Sequence, residues 1–413
     1  MKGRKDLQRL PMSSPDLTEL EITAVSDVLR TRYLSIGPQL EGFEQTVASY
    51  VGAAHAVGVN SGTSGLHLAV IAAGVGDQDY AKRDGRPDLV ITTPFSFVAS
   101  ANCIIYQQAI PIFVDVDPAT GNIDPDQVAE AAHDLTSGKH SARHWLPPTL
   151  RDSRPALGRL KAILPIHAFG QPADMEPILE VGDRHQLAVI EDACEALGAE
   201  YKGQRVGTVG DAGVFAFYPN KQMTTGEGGM IVTDDETWAV LFRSLRNQGR
   251  DVFDGWLNHS RLGYNYRLDE LSAALGRAQM DRIEEMLARR EQVASWYNER
   301  LAGTELVQRP RVARTTSRMS WFVYVVRIKP PASRNDVMRA LAREGIPTRR
   351  YFPPIHLQPF YRKRFGYQRG AFEVTELLGD VSLALPFSSV MSESQVDQVC
   401  ECLRAAVGAA SAQ

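Results

Sequence analysis

The sequence predicts an α/β fold built on a mostly parallel sheet, and three observations carry that expectation. Short β-branched runs alternate with helix-period segments from about residue 40 to 275. The runs are apolar throughout instead of alternating, as strands covered on both faces are. The chain, at 413 residues, also exceeds the roughly 250–300 residues at which a single core stops growing. A second domain is therefore expected. The division is placed at 275/276, giving a large α/β domain over 1–275 with the N-terminal segment and a smaller α+β domain over 276–413.

Taken in order, HAVGVN (55–60) precedes LHLAVIAAG, and DLVITTPF (88–95) precedes VASANCIIYQQ. PIFVDVD (111–117) is followed by DPDQVAEAAHDL, LKAILPIHAFG (160–170) by MEPILEVGDRHQ, and LAVIEDA (187–193) comes next. Strands joined by helices in this rhythm make parallel pairs. The rhythm then changes: DAGVFAFYPN and GGMIVTDD read as strands joined by a glycine-rich loop. From Asp269 to Leu301 helical periodicity runs without proline, which predicts one long helix linking the domains. SWFVYVVRI reads as a strand, RNDVMRALAREG as a helix, and a last helix is expected from about Glu393. The polar stretches 77–88 and 136–158 read as surface loops.

Bulk properties exclude several classes. The formal charge is −4 and the pI about 6.2, so no basic field recruits nucleic acid or an anionic membrane. No apolar run approaches the roughly 20 residues needed to span a bilayer, and the first residues lack the apolar stretch of a secretory signal. Four cysteines in a chain of this length form no disulfide framework, and reduced thiols in a cytoplasmic protein are expected. The nine histidines show neither HExxH nor Cys/His ligand spacing, so no catalytic metal is expected.

Four segments carry chemistry, each at a predicted strand boundary, where open α/β sheets bind ligands. Asn60-Ser61-Gly62-Thr63-Ser64-Gly65 joins a strand to a helix, and such a turn offers backbone N–H groups to a phosphate. By itself it is as readily an ordinary capped turn. Asp192 ends the apolar strand LAVIED, and a carboxylate there needs a partner: a protonated pyridine nitrogen, or a cap or salt bridge. Lys221 follows the apolar run FAFYPN and precedes QMTTGEGG. A lone lysine is ordinarily a solvated surface residue, but burial at this place would free its amine as a nucleophile. Gly263-Tyr264-Asn265-Tyr266-Arg267-Leu268-Asp269 is a polar, aromatic helix start.

In this order the segments resemble the DegT/DnrJ/EryC1/StrS aminotransferases, sugar aminotransferases of pyridoxal-phosphate (PLP) fold type I. The likeness runs from about Leu17 to Val407. It takes in LSIGPQLEGFE (34–44), VNSGTSGLHLA (59–69), TTPFSFVASAN (92–102) and PIHAFGQPADM (165–175). It continues through VIEDACEALGAEYKG, FAFYPNKQMTTGEGGMIVT, LRNQG, GYNYRLDELSAALG and YFPPIHLQPFYR. The resemblance implies a large mostly parallel-sheet domain with a smaller α+β domain, and PLP held by Lys221 as a Schiff base. It also implies Asp192 on the pyridinium nitrogen, Phe97 stacked on the ring, and Gly62, Thr63 and Ser64 as the phosphate cradle. Glu195 falls near the cofactor's 3′-oxygen. Asn265 corresponds to a residue reaching the phosphate from a neighbouring subunit, which implies a homodimer with shared sites. The sequence departs from the family at Ala216, where many members place a phosphate-binding serine.

The implied reaction moves an amino group from L-glutamate (or glutamine) to a keto group of a nucleotide-linked sugar. A keto-cyclitol acceptor is the nearest alternative. A PLP sugar dehydratase is disfavoured, since those relatives have His where Lys221 stands, and a non-catalytic regulator lacks any helix-turn-helix or basic stripe. Among other polar residues, Tyr351 and His356 are expected toward the substrate, His356 being otherwise structural. His167 reads as a satisfied core histidine, and Asp115 and Asp117 as turn residues.

Overall fold

The computed structural model describes residues 10–76, 86–138, 140–152, 158–251 and 258–411. Helices α1 (Glu19–Val28) and α2 (Pro38–Val51) lead into β1 (His55–Val59) and α3 (Gly62–Ala72). There follow β2 (Asp88–Thr92), α4 (Ala99–Tyr106), β3 (Ile110–Phe113), α5 (Pro125–Ser137), β4 (Arg159–Ile163), α6 (Met175–His185) and β5 (Ala188–Asp192). A short hairpin, β6 (Glu200–Tyr201) and β7 (Gln204–Arg205), precedes β8 (Ala212–Ala216), β9 (Gly229–Thr233) and α7 (Glu236–Arg246). The sheet order β1-β9-β8-β5-β4-β2-β3 is parallel except at β9, which runs antiparallel to β1 and β8. The expected break in rhythm after β5 is this reversal.

β2 and β9 are buried along their whole length, which is why their sequences are apolar without alternation. Helix α3 sits tightly on the sheet. A Cβ on Gly65 would lie 2.7 Å from Val214 Cγ1, and one on Gly62 would lie 2.7 Å from Ala216 Cβ. Only glycine permits that approach, and it brings the start of α3 down to the end of β8.

The expected long helix is two. Helix α8 (Glu270–Met280) stops, Arg282 leaves helical geometry (φ −115°, ψ 7°), and α9 (Ile283–Arg300) resumes. The break lets Arg282 turn to Asp16 and Glu21, each 3.0 Å away. The 275/276 boundary consequently falls inside α8, which packs on α1 and α2. The change of core occurs along α9 instead: Ile283, Met286 and Leu287 join the large core, Val293 and Tyr297 the small one.

The small unit holds β10 (Val307–Gln308), β11 (Thr316–Arg318), β12 (Tyr324–Ile328), α10 (Arg334–Arg343), α11 (Pro359–Phe365), α12 (Glu373–Val381), β13 (Ser382–Leu385) and α13 (Glu393–Ser411). Its sheet is β10-β12-β13, antiparallel throughout, while β11 pairs with β6. Leu10 belongs to this small core, and Met12 accepts a hydrogen bond from Phe387 N–H, so the N-terminal segment crosses over to it.

Of the two expected surface loops, 77–85 lies outside the described residues. The other is not a plain loop. Residues 136–137 complete α5, 140–145 and 148–150 form 3-10 turns, and Ala142 and Leu146 are buried in the large core. Polar composition hid these two anchors. No helix among the described residues is long and apolar enough to cross a membrane, and all four cysteines are free.

Candidate active site

A cavity of about 360 Å³ opens where β5, β8 and the start of α3 converge, within the roughly 300–1,000 Å³ of small-molecule sites. Ser61, Gly62, Thr63, Phe97, Asp192, Glu195, Ala216, Lys221 and Tyr351 all line it. Residues distant in sequence are thus brought to one place, at the carboxyl ends of the strands.

At the floor, Ser61 caps α3 by accepting the N–H of Ser64 at 3.1 Å. A helix start leaves its first N–H groups without intrahelical partners, and Gly62 and Thr63, the first residues of α3, line the cavity. Ser64 does not line it. Its hydroxyl donates to Asn60 Oδ1 at 2.7 Å and lies 2.8 Å from Ser61 Oγ, so the cap occupies the side chain expected to bind phosphate.

Asp192, at the end of β5, is buried. Ser100 Oγ donates to its Oδ2 at 2.6 Å, and the Cys194 N–H to its Oδ1 at 3.2 Å. Since the Ser100 proton goes to the carboxylate, Ser96, 3.0 Å behind, donates in turn. Burial and then the Asp192 charge push the Cys194 thiol well above its ordinary range.

Lys221 sits in a turn after β8, its side chain 14% exposed. Its Nζ lies 3.7 Å from Glu195 Oε1 and 4.0 Å above the Phe322 ring. Burial raises the Glu195 carboxyl above its usual range, with Lys221 opposing; its other oxygen accepts the Phe169 N–H at 2.9 Å. Tyr351 is pushed up to about 12 by burial and by Glu195. Phe97 is 63% exposed, a large apolar face open to the cavity.

Like Ser64, two further expected residues lie outside this chain's cavity, Asn265 among them having been expected to serve the neighbouring subunit. His356 is fully buried, bonded through Nε2 to Glu376 at 3.0 Å, and does not border the cavity; the structural alternative is the one found, the ring being packed with Phe372 and Tyr367 and held at Nε2 by Glu376. Asn265 is exposed and outside its own chain's cavity, paired by a bridge to Asn247. His167 is a satisfied core histidine: Nε2 donates to Glu191 at 2.8 Å and Nδ1 accepts Ala173 N–H at 3.0 Å. Asp117 holds a turn through Ala119 and Thr120, but Asp115 reaches further and caps α12 through the N–H groups of Val374 and Thr375.

Sequence reasoning missed Ser96, Ser100, Asn220 and Phe322, and named Ser61 only as part of its turn. Neither Ser96, which precedes α4, nor Phe322 had a local signal. Asn220, beside the lysine, has a buried Oδ1 with no partner among the described residues. That orphaned acceptor, the glycine floor and the paired amine and carboxylate fit a phosphate-bearing aromatic aldehyde such as PLP.

Residues 15–404 match the DegT/DnrJ/EryC1/StrS aminotransferase family. A GDP-perosamine synthase of Caulobacter vibrioides is 37% identical over 402 residues, 96% of this chain and 98% of that one. A solved structure of DesI in the presence of its TDP-sugar product is 28% identical with a TM-score of 0.82, covering 99% of this chain and 95% of that one. A Streptococcus pneumoniae protein solved in its PMP form is 25% identical with a TM-score of 0.85, covering 98% of each chain. The chain belongs to the DegT/DnrJ/EryC1/StrS family, and it is a PLP-dependent aminotransferase.

Proposed function

We propose that this cytoplasmic enzyme moves an amino group from L-glutamate to the keto carbon of a nucleotide-linked sugar, as a homodimer with shared active sites. The observation that carries the chemistry is the Lys221 amine and the Asp192 carboxylate lining one cavity at the ends of β8 and β5. The acceptor class rests on the GDP- and TDP-sugar relatives. The dimer is supported by the exposed Leu20, Ile22, Leu29, Tyr33, Leu34 and Ile36, apolar side chains close together in the N-terminal segment that a partner could cover.

When bound, PLP supplies an electron sink for negative charge developing at the donor α-carbon. Lys221 Nζ would hold the cofactor and, once released, would move a proton between the donor α-carbon and the cofactor's C4′. Asp192, fixed by Ser100 and the Cys194 N–H, accepts the ring N–H. The free N–H groups of Gly62 and Thr63, with the Thr63 hydroxyl, bind the phosphate. Tyr351, Phe352 and Phe322 wall the reacting atoms from water.

Two measurements test the reading. Borohydride treatment of the PLP-loaded protein should leave a pyridoxyl group on Lys221 in peptide maps; a label on another lysine overturns the assignment. Mass spectrometry of a panel of nucleotide-ketosugars and keto-cyclitols, incubated with ¹⁵N-glutamate, should show label entering a nucleotide sugar. Label entering cyclitols alone would replace the acceptor class.

A further inference from the structure

Arg290 lies on α9 between Leu287, in the large core, and Val293, in the small one. It is 2% exposed, and among the described residues no carboxylate bonds to it. Its two Nη groups go to three carbonyls instead: Nη1 to Trp321 at 3.1 Å and Phe322 at 3.2 Å, and Nη2 to Lys221 at 2.5 Å, while the buried Nε has no partner among the described residues. Burying a guanidinium without a counter-ion is costly, and here burial holds its pKa down to about 10. Packing alone would be served by an apolar side chain of similar volume. What the charge and fork add is a rigid link between the lysine turn and the Trp321–Phe322 segment, across the base of the cavity.

The linked segment is itself constrained. Trp321 has φ +49°, a left-handed conformation that bulky residues rarely adopt and that persists only where the surroundings hold it. Arg290 takes its carbonyl, and Glu291, next on the same helix, takes its indole N–H. Phe322 follows directly, and its ring is the one under Lys221 Nζ.

We propose that Arg290 is a positioning residue for Lys221, tying the lysine's carbonyl to those of Trp321 and Phe322 so that the amine stays aimed into the cavity. The proposal rests on Lys221 being the residue that holds PLP. Its test separates attachment from simple binding. PLP added to the apoprotein is followed by visible absorbance as it bonds to Lys221, and the affinity for pyridoxamine phosphate, which cannot attach, is measured in parallel. Arg290→Lys keeps the charge, but one ammonium cannot span three carbonyls. Attachment should slow by roughly 10-fold or more, the effect of a small misplacement of a reacting group. Pyridoxamine phosphate affinity should stay within about twofold.

Glu291→Ala, at an exposed position, loosens only the indole grip and should slow attachment by roughly threefold. Should Arg290→Lys fail to fold, Glu291→Ala decides on the same two readings. Wild-type attachment on Lys221 with unchanged rates in the variants overturns the inference alone. A parallel fall in pyridoxamine phosphate affinity overturns it as well, because it marks general loss of structure. Wild-type protein that took no PLP on Lys221 would overturn the functional reading and the inference with it.

Discussion

Asp192 receives two donors from its own chain, and their geometry grades what each is worth. Asp192→Asn keeps the shape and removes the charge, so kcat should fall at least roughly 10²-fold, the scale of one preorganised electrostatic group. Steady-state kinetics on variant protein with PLP shown to be bound checks this, and a near-normal kcat would remove Asp192 from the role. Ser100→Ala leaves the charge but deletes the 2.6 Å bond; losing about 1.4 kcal/mol of alignment corresponds to roughly a tenfold drop. An Asn variant no worse than the Ala variant would contradict that order. Ala216 permits a third measurement, since Ala216→Ser adds a hydroxyl beneath Gly62. PLP affinity should rise or stay level in equilibrium titrations, and a marked loss would place the phosphate elsewhere. Asp192 stands out in the sequence as a charged side chain ending an apolar strand, and Lys221 as one between an apolar run and a glycine-rich loop. Ser100 does not, because a serine in VASANC is ordinary until Asp192, 92 positions away, arrives beside it. Ser64 shows the opposite: its hydroxyl matches the motif, yet it donates to Asn60 Oδ1 four residues back, a local partner that the motif does not announce.

Elements were legible where one periodicity governs, and the break in Asp269–Leu301 shows what periodicity omits. Neither proline nor glycine marks Asp281-Arg282. The helix stops because Arg282 satisfies two carboxylates from the N-terminal segment, and that partner set is a tertiary fact. Glu21 is the centre of the junction. It accepts from the Thr18 N–H and hydroxyl at 2.6 and 2.7 Å, from Gln279 at 2.8 Å and from Arg282 at 3.0 Å. Burial pushes its carboxyl up, but these donors outweigh it and hold the pKa at about 2. A depressed folded pKa means stability that is complete above the unfolded value, about 4.3, and that is lost as pH falls toward 2. Glu21→Gln should therefore cost about 2 kcal/mol at pH 7, and the gap to wild type should narrow between pH 4 and pH 2. Urea unfolding across that range is the measurement; a gap that stayed constant would mean that packing, not the charge, sets the cost.

At the scale of the whole molecule, both cores contribute to one cavity: Asp192 and Lys221 from the large sheet, Phe322, Tyr351 and Phe352 from the small unit. Length alone led to the expectation of a second unit, but it says nothing of α9 contributing to both cores or of Leu10 packing on the small one, since neither contact has a local signature. Asn265 is exposed and outside its own chain's cavity, and we propose that it completes the site of the other subunit in a dimer. Consider Lys221→Ala mixed with Asn265→Asp, the latter setting a negative charge against the phosphate. Each parent should be inactive or badly impaired. In a mixed dimer with shared sites, one site collects both lesions and the other collects neither. Unfolding and refolding the two variants together should then restore activity toward one working site per mixed dimer, as read by glutamate-dependent turnover. If Asn265 serves its own chain, every site keeps one lesion and nothing returns. Native mass spectrometry must show that mixed dimers formed, and with that shown, an absence of recovered activity would end the shared-site reading.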